Sequence, residues 1–261
     1  MKRKIVAVAV VVVIAGLSAA YGLSQERSSQ AASAKAQTSA QQPKKEATPT
    51  PQPKFDKSAL SLQDPTSLWV VVNKKRPLAP SDYVPADLAV PDIQLRSNIT
   101  NDERQVRRAV ADALKTMADA AQAEGVTLTL QSGYRSYTFQ QNLYGRYVAQ
   151  QGQSVADMQS ARAGHSEHQT GLAVDLGGVT RPACNVEACF ADTVEGRWVA
   201  ANAHLYGFTI RYPQGKAPVT GYTFEPWHLR YVGPELALEL HSSGVLTLEE
   251  FFGLPAAPDY N

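Results

Sequence analysis

Hydrophobic and polar positions divide the chain into three stretches. Residues 5–23 form an uncharged, almost wholly apolar run directly after the basic start MKRK. Residues 24–57 are Ser, Ala, Gln, Lys, Thr and Pro, with almost nothing to bury. From residue 58 onward apolar positions recur with the periods of helices and strands. In NDERQVRRAVADALKTMADAAQAEG, Val106, Val110, Leu114, Met117 and Ala121 share one face. The pattern predicts a helix with Asp102 and Glu103 in its first turn and Gly125 at its end. VTLTLQS alternates as a strand with Val126, Leu128 and Leu130 on one side, and SLWVVVN before the proline-punctuated loop reads as another short strand.

The later pattern continues in both periods. A helix is predicted over about Thr138 to Gln151, and SVADMQSA adds a short one. GLAVDLG, FTIRY and HLRYVG read as strands; TVEGRWVAANAHLYG reads as one amphipathic helix closed by Gly207, and PELALELHSSG and TLEEFFG as closing helices. Helices and strands do not alternate regularly enough for a doubly wound sheet. The expected class is α+β, a small antiparallel sheet flanked by helices.

Composition and charge then limit the partners. The 261 residues carry a net charge of +1, and no basic stripe crosses the interior, so a nucleic-acid partner is not expected. Basic residues followed by an apolar run of this length form an export signal. Residues 1–23 thus read as a signal peptide or a signal-anchor helix, with residues 5–23 in the cytoplasmic membrane and Lys2, Arg3 and Lys4 inside. Residues 24–57 cannot repay their ordering entropy and read as a disordered spacer, with an end-to-end distance on the order of 30 Å. Residues 58–261 are the folded domain, extracytoplasmic and either membrane-anchored or secreted into the cell envelope. The two cysteines, Cys184 and Cys189, lie on that exported side. An oxidising compartment favours a local disulfide over two free thiols, and CxxxxC alone lacks the companions of a structural zinc site.

Candidate chemistry begins with Asp175, an acid inside the apolar run GLAVDLG. It is either a carboxylate on the solvated face of a half-buried strand or an acid with a partner: a cation, several donors or a metal. His168 lies seven residues upstream across QTG, where the chain can turn back. GYTFEPWHLRYVG supplies His228, with Glu225 three residues before it; a turn through EPW would aim both at one place. Two histidines and a carboxylate with an open fourth position make a hydrolytic zinc site. Glu225 is then the candidate proton acceptor. Arg135, in SGYRS after a strand, is the candidate for holding a substrate carboxylate or a developing oxyanion. His165 stands as an alternative ligand, His204 as a packing or capping residue, and His241 as a partner of a helix C-terminus. The order HSEHQ is not the HExxH of the zincins.

SGYRSYTFQQ, SEHQTGLAVDLG and GYTFEPWHLRYVG closely resemble the VanY-type D-alanyl-D-alanine carboxypeptidases and their L,D-carboxypeptidase relatives. These share a fold with lysostaphin-type endopeptidases and the hedgehog signalling domain. The resemblance covers roughly Leu60 to Phe252. It implies Zn2+ held by His168, Asp175 and His228, Glu225 as catalytic base, and Arg135 as the substrate- and transition-state-stabilising arginine. It further implies contacts from Gln140 and Ser166 to the terminal D-alanine, and Trp227 as a pocket wall. His165 departs from the tyrosine often found before SEHQTG, and the segment from Cys184 to Cys189 looks like a local elaboration. The reaction implied is removal of the C-terminal D-alanine from peptidoglycan stem peptides. The alternatives are L,D-carboxypeptidase action on tetrapeptide stems, a peptidoglycan endopeptidase, or a wall-binding domain without catalysis.

Overall fold

Apolar residues every three or four positions along one helix, and every second position along three strands, enclose a common core. The computed structural model describes residues 55–261. The expected signal segment and nearly all of the expected spacer lie outside the described residues. Among those described, no helix is long and apolar enough to cross a membrane.

The elements in chain order begin with the short strands β1 (Leu88–Ala89), β2 (Gln94–Leu95) and β3 (Val106–Arg107). Helix α1 (Arg108–Ala123), strand β4 (Leu128–Ser132) and helices α2 (Tyr137–Gln151) and α3 (Gln153–Gln159) follow. Next come β5 (Ala173–Gly178), α4 (Val194–Asn202), β6 (Phe208–Tyr212), α5 (Ala217–Thr220), β7 (Glu225–Tyr231), α6 (Pro234–Ser243) and α7 (Leu248–Phe252). The main sheet has the order β2-β4-β5-β7-β6, antiparallel except for the two-residue edge strand β2, which runs parallel to β4. The α+β class holds, with a mixed sheet in place of a wholly antiparallel one.

Strand alternation sends Leu130, Val174, Leu176 and Leu229 to one face, where they meet Val110, Leu114, Met117 and Ala121 of α1. The same alternation sends Asp175 and its cross-strand partner His228 to the other face, and a register shift in β4 between Leu130 and Ser132 pairs Ser132 with Asp175. A second apolar cluster joins Trp69 and Val71 to Leu236 and Leu240 of α6 and Phe251 of α7.

Four expectations change. The first helix starts at Arg108 rather than near Asp102. The segment before it bonds outward: Gly133 N donates to Glu103 O and Tyr134 N to Gln105 O, both at 2.6 Å, and Arg107 N to Gly171 O at 3.0 Å. SLWVVVN alternates between the two clusters but is not a strand. Its carbonyls are taken by guanidinium groups instead, Arg230 Nη2 donating to Leu68 O (2.9 Å) and Val70 O (2.7 Å). The helix in TVEGRWVAANAHLYG ends at Asn202 and passes into a 3-10 turn over Ala203–Tyr206, closed by Gly207 at φ 85°. Finally, EPW lies inside β7. Ile210 pairs with Leu229 and Tyr212 with Glu225, so β7 carries two residues more than β6 over the same span. This bulge accommodates Pro226 and lets Glu225 and His228 share a face although three residues apart.

Candidate metal centre and active-site cavity

His168 belongs to a 3-10 turn, Glu167–Thr170, that ends at Gly171 in the left-handed region (φ 66°). A Cβ on Gly171 would press on the Arg107 side chain at 2.9 Å, so the reversal that returns the chain into β5 requires glycine. The His168 ring is oriented by its Nδ1–H, which donates to Gly133 O at 2.6 Å. That fixes the tautomer and leaves Nε2 facing Asp175 Oδ2 at 3.3 Å. On the other side of Asp175, His228 Nδ1 lies 3.2 Å from Oδ1 and 3.6 Å from Glu225 Oε2. All three residues of the His168–Asp175–His228 cluster are buried, and their candidate ligand atoms lie within 4.8 Å of one another.

This cluster fits a tetrahedral cation. Atoms about 2.0–2.1 Å from zinc stand about 3.3 Å apart along a tetrahedral edge. His168 Nε2 lies 3.3 Å from Asp175 Oδ2 and His228 Nδ1 3.2 Å from Oδ1, each near that edge length though to different oxygens of the carboxylate, and each longer than a charge-assisted hydrogen bond of about 2.7–2.9 Å. His168 Nε2 and Asp175 Oδ1 are buried without a hydrogen-bond partner, a costly arrangement unless a further group meets them. Burial and the nearby Arg135 lower the His168 imidazole to about 4, so it is the neutral ring that metal ligation needs. Burial opposes charge on His228, yet the neighbouring carboxylates of Asp175 and Glu167 raise it to about 9. Positive charge is therefore favoured at this spot, as a proton or as a bound cation. Burial pushes the Glu225 carboxyl up to about 8, with Asp175 adding to the rise and His228 and Arg135 opposing it.

A cavity of about 560 Å³ opens over the cluster. Arg135, Gln140, Ser166 and Trp227 line it beside Glu225 and the His/Asp/His group. Arg135 Nη2 lies 3.8 Å from Asp175 Oδ2, and its buried Nε has no partner. Gln140 Nε2 donates to Ser160 Oγ (3.1 Å) and Ala161 O (2.7 Å), which leaves its Oε1 buried and unpaired. Ser166 is buried immediately before the 3-10 turn. Cys184 and Cys189 form a disulfide with Cα atoms 5.3 Å apart, and Val186 to Ala188 between them reach the cavity wall.

The remaining histidines lie elsewhere. His165 Nδ1 faces Asn73 O at 2.9 Å and its ring meets Tyr260 edge-on, away from the His/Asp/His group. His204 and His241 stack on each other, centroids 3.5 Å apart, and neither lines the cavity.

Sequence reasoning missed a buried charge network beneath the cluster. Glu167 Oε1 accepts from Arg211 Nε and Arg230 Nη1, both at 2.8 Å, while Oε2 points toward His228 Nε2 at 3.8 Å. Arg211 also makes a two-pronged pair with Glu249 (2.9 and 2.7 Å), whose Oε1 accepts from Asn73 as well. Burial alone would raise the Glu167 carboxyl; the two guanidinium groups outweigh it and hold the group well below the carboxylate range. The anionic Glu167 thus lies behind the Nε2 edge of His228, whose Nδ1 faces Asp175. Arg211 in FTIRY and Arg230 in HLRYVG are charges inside strand-like apolar runs, the same signal that singled out Asp175.

Comparison with known proteins agrees with the geometry. Residues 103–234 match the model of the family described as VanY, D-alanyl-D-alanine carboxypeptidase. The chain is 43% identical over 192 residues to YodJ of Bacillus subtilis, covering 74% of this chain and 69% of that one. A structure of the L,D-carboxypeptidase LdcB superposes with a TM-score of 0.67 at 43% identity, over 72% of this chain and 87% of that one. A variant of the vancomycin-resistance D,D-pentapeptidase VanY, solved in complex with Zn(II), gives 0.54 at 33% identity, over 70% and 97%. Its fold, its cavity and these likenesses together place the chain in the VanY D-alanyl-D-alanine carboxypeptidase family, a hydrolase of the peptidoglycan carboxypeptidase kind.

Proposed function

We propose that the protein is a zinc-dependent carboxypeptidase that removes the C-terminal D-alanine from peptidoglycan stem peptides outside the cytoplasmic membrane. The observation that carries this reading is the placement of Glu225 beside His228, in the same cavity as a buried His/Asp/His cluster with unpaired ligand atoms. His168, Asp175 and His228 would hold the metal. When bound, zinc lowers the pKa of a coordinated water to ~7 and polarises the scissile carbonyl.

The chain's own groups do the rest. Glu225 accepts the proton of the attacking water and returns it to the departing amine of D-alanine. The guanidinium of Arg135, which lines the cavity and whose Nε has no hydrogen-bond partner, grips the substrate carboxylate or the developing oxyanion. Gln140 and Ser166 offer the D-alanine an amide oxygen and a hydroxyl, and Trp227 walls off solvent. The apolar run at residues 5–23 anchors the enzyme or directs its secretion.

Likeness to LdcB at 43% identity against 33% for VanY favours the L,D specificity, in which a tetrapeptide stem loses its last residue. Incubation of the purified chain with defined tetrapeptide and pentapeptide muropeptides, with D-alanine release followed by mass spectrometry, tests both levels. Release from tetrapeptides is the expected result. Release from pentapeptides alone would reverse the specificity, and no release from either would remove the carboxypeptidase reading.

A further inference from the structure

The segment between Cys184 and Cys189 is fixed at the cavity more firmly than an incidental loop. The disulfide closes it into a small ring, and Asn185 ties it to the end of β5. Asn185 Oδ1 accepts from Gly178 N at 2.9 Å and its Nδ2 donates to Gly178 O at 3.1 Å. Gly177 leaves room for that amide: a Cβ there would lie 2.6 Å from the Asn185 side chain. Val186 is held in the left-handed region (φ 59°), a conformation a β-branched residue adopts only when its surroundings impose it. The result is that Val186, Glu187 and Ala188 line the cavity that also holds Glu225 and the His/Asp/His cluster.

Charge distinguishes Glu187 within that wall. The other lining acids, Glu167, Asp175 and Glu225, are buried, whereas Glu187 is exposed. Among the described residues Arg135 is the only lysine or arginine in the wall, and it approaches Asp175. Glu187 has no ion-pair or side-chain hydrogen-bond partner among the described residues. A carboxylate held at the rim of a substrate cavity by a disulfide, an amide clamp and a strained neighbour is suited to a cation carried by the substrate.

We propose that Glu187 is a specificity subsite for a free side-chain amine on the stem-peptide residue preceding the D-alanine end. The proposal rests on the stem-peptide reading given above. Acylation of that amine, as in a cross-linked or capped stem, removes the charge and the attraction. The protein therefore prefers stems whose diamino residue is uncross-linked. An exposed ion pair of this kind yields a preference of about two- to five-fold, weakening with salt.

The experiment compares kcat/KM of the zinc-loaded full chain on two synthetic stem peptides that differ only in acetylation of the side-chain amine. The expected result is faster turnover of the free amine, falling toward equality in 1 M salt. Glu187→Gln brings the ratio to near one, and Glu187→Lys inverts it. Equal rates on both peptides, or a preference that survives Glu187→Gln, would overturn the subsite while leaving the carboxypeptidase reading intact. Absence of turnover on both peptides would overturn the carboxypeptidase reading and the subsite with it.

Discussion

At the scale of single residues, the proposed function assigns metal ligation and proton transfer to different side chains, and substitutions can read the two apart. Glu225 faces His228 at 3.6 Å but is not part of the His/Asp/His cluster. Glu225→Gln is therefore expected to keep about one zinc per chain while losing about 10²–10⁴-fold in kcat, the usual worth of a general base. His168→Ala is expected to lose the metal and the activity together, and His165→Ala to keep both. Metal analysis beside turnover on the same preparations checks each outcome; full activity in Glu225→Gln would remove it as the base. Asp175 was legible as an anomaly, an acid in an apolar run. Glu167 was not, because it sits in the polar context SEHQ, where nothing in the local pattern marks it for burial.

At the scale of elements, the side chains proposed as catalytic ride on three backbone features: the turn after β4, the 3-10 turn before β5 and the bulge in β7. Gly133 ties the first two together, because its carbonyl accepts from His168 while its N–H donates to Glu103 O. A Cβ on Gly133 would meet Glu103 O and Val106 Cγ1 at 2.9 Å and press harder still on Gln105 O. Gly133→Ala is thus expected to cost about 1–3 kcal/mol of stability and to weaken zinc binding through the displaced His168 ring. Denaturant midpoints and a zinc-competition titration measure the two effects; unchanged affinity would mean that the ring does not depend on this carbonyl. The helix and strand periods were readable because each element has one apolar face, whereas the late start of α1 was not. The segment before it spends its backbone groups on the turns at Gly133 and Gly171, which are distant in sequence.

At the scale of the whole molecule, buried charges bind the two apolar clusters to the site. Arg230 reaches from β7 to the carbonyls of Leu68 and Val70, and Arg211 links Glu167 to Glu249 on α7. Burial works to raise the Glu249 carboxyl, but Arg211 and Asn73 lower it below its ordinary value. A carboxyl lowered on folding stabilises fully above its unfolded pKa, about 4.3, and that stability is lost as pH falls toward the folded value. Stability to urea is expected to fall between about pH 5 and 3, and Glu249→Gln to flatten part of that slope while destabilising at neutral pH. An equally steep slope in the variant would place the acid sensitivity elsewhere.

Residue order alone carried the class of fold, the apolar faces and the cluster His168, Asp175, His228 with Glu225, because period and motif are local properties of a chain. The partners of Glu167, Arg211 and Arg230, the direction of each imidazole and the closeness of the disulfide ring to the cavity depended on folding. The imidazole and guanidinium contacts reach from 35 positions, His168 to Gly133, to 162, Arg230 to Leu68, and their energies arise only where burial removes water and leaves each charge the neighbours that the fold provides.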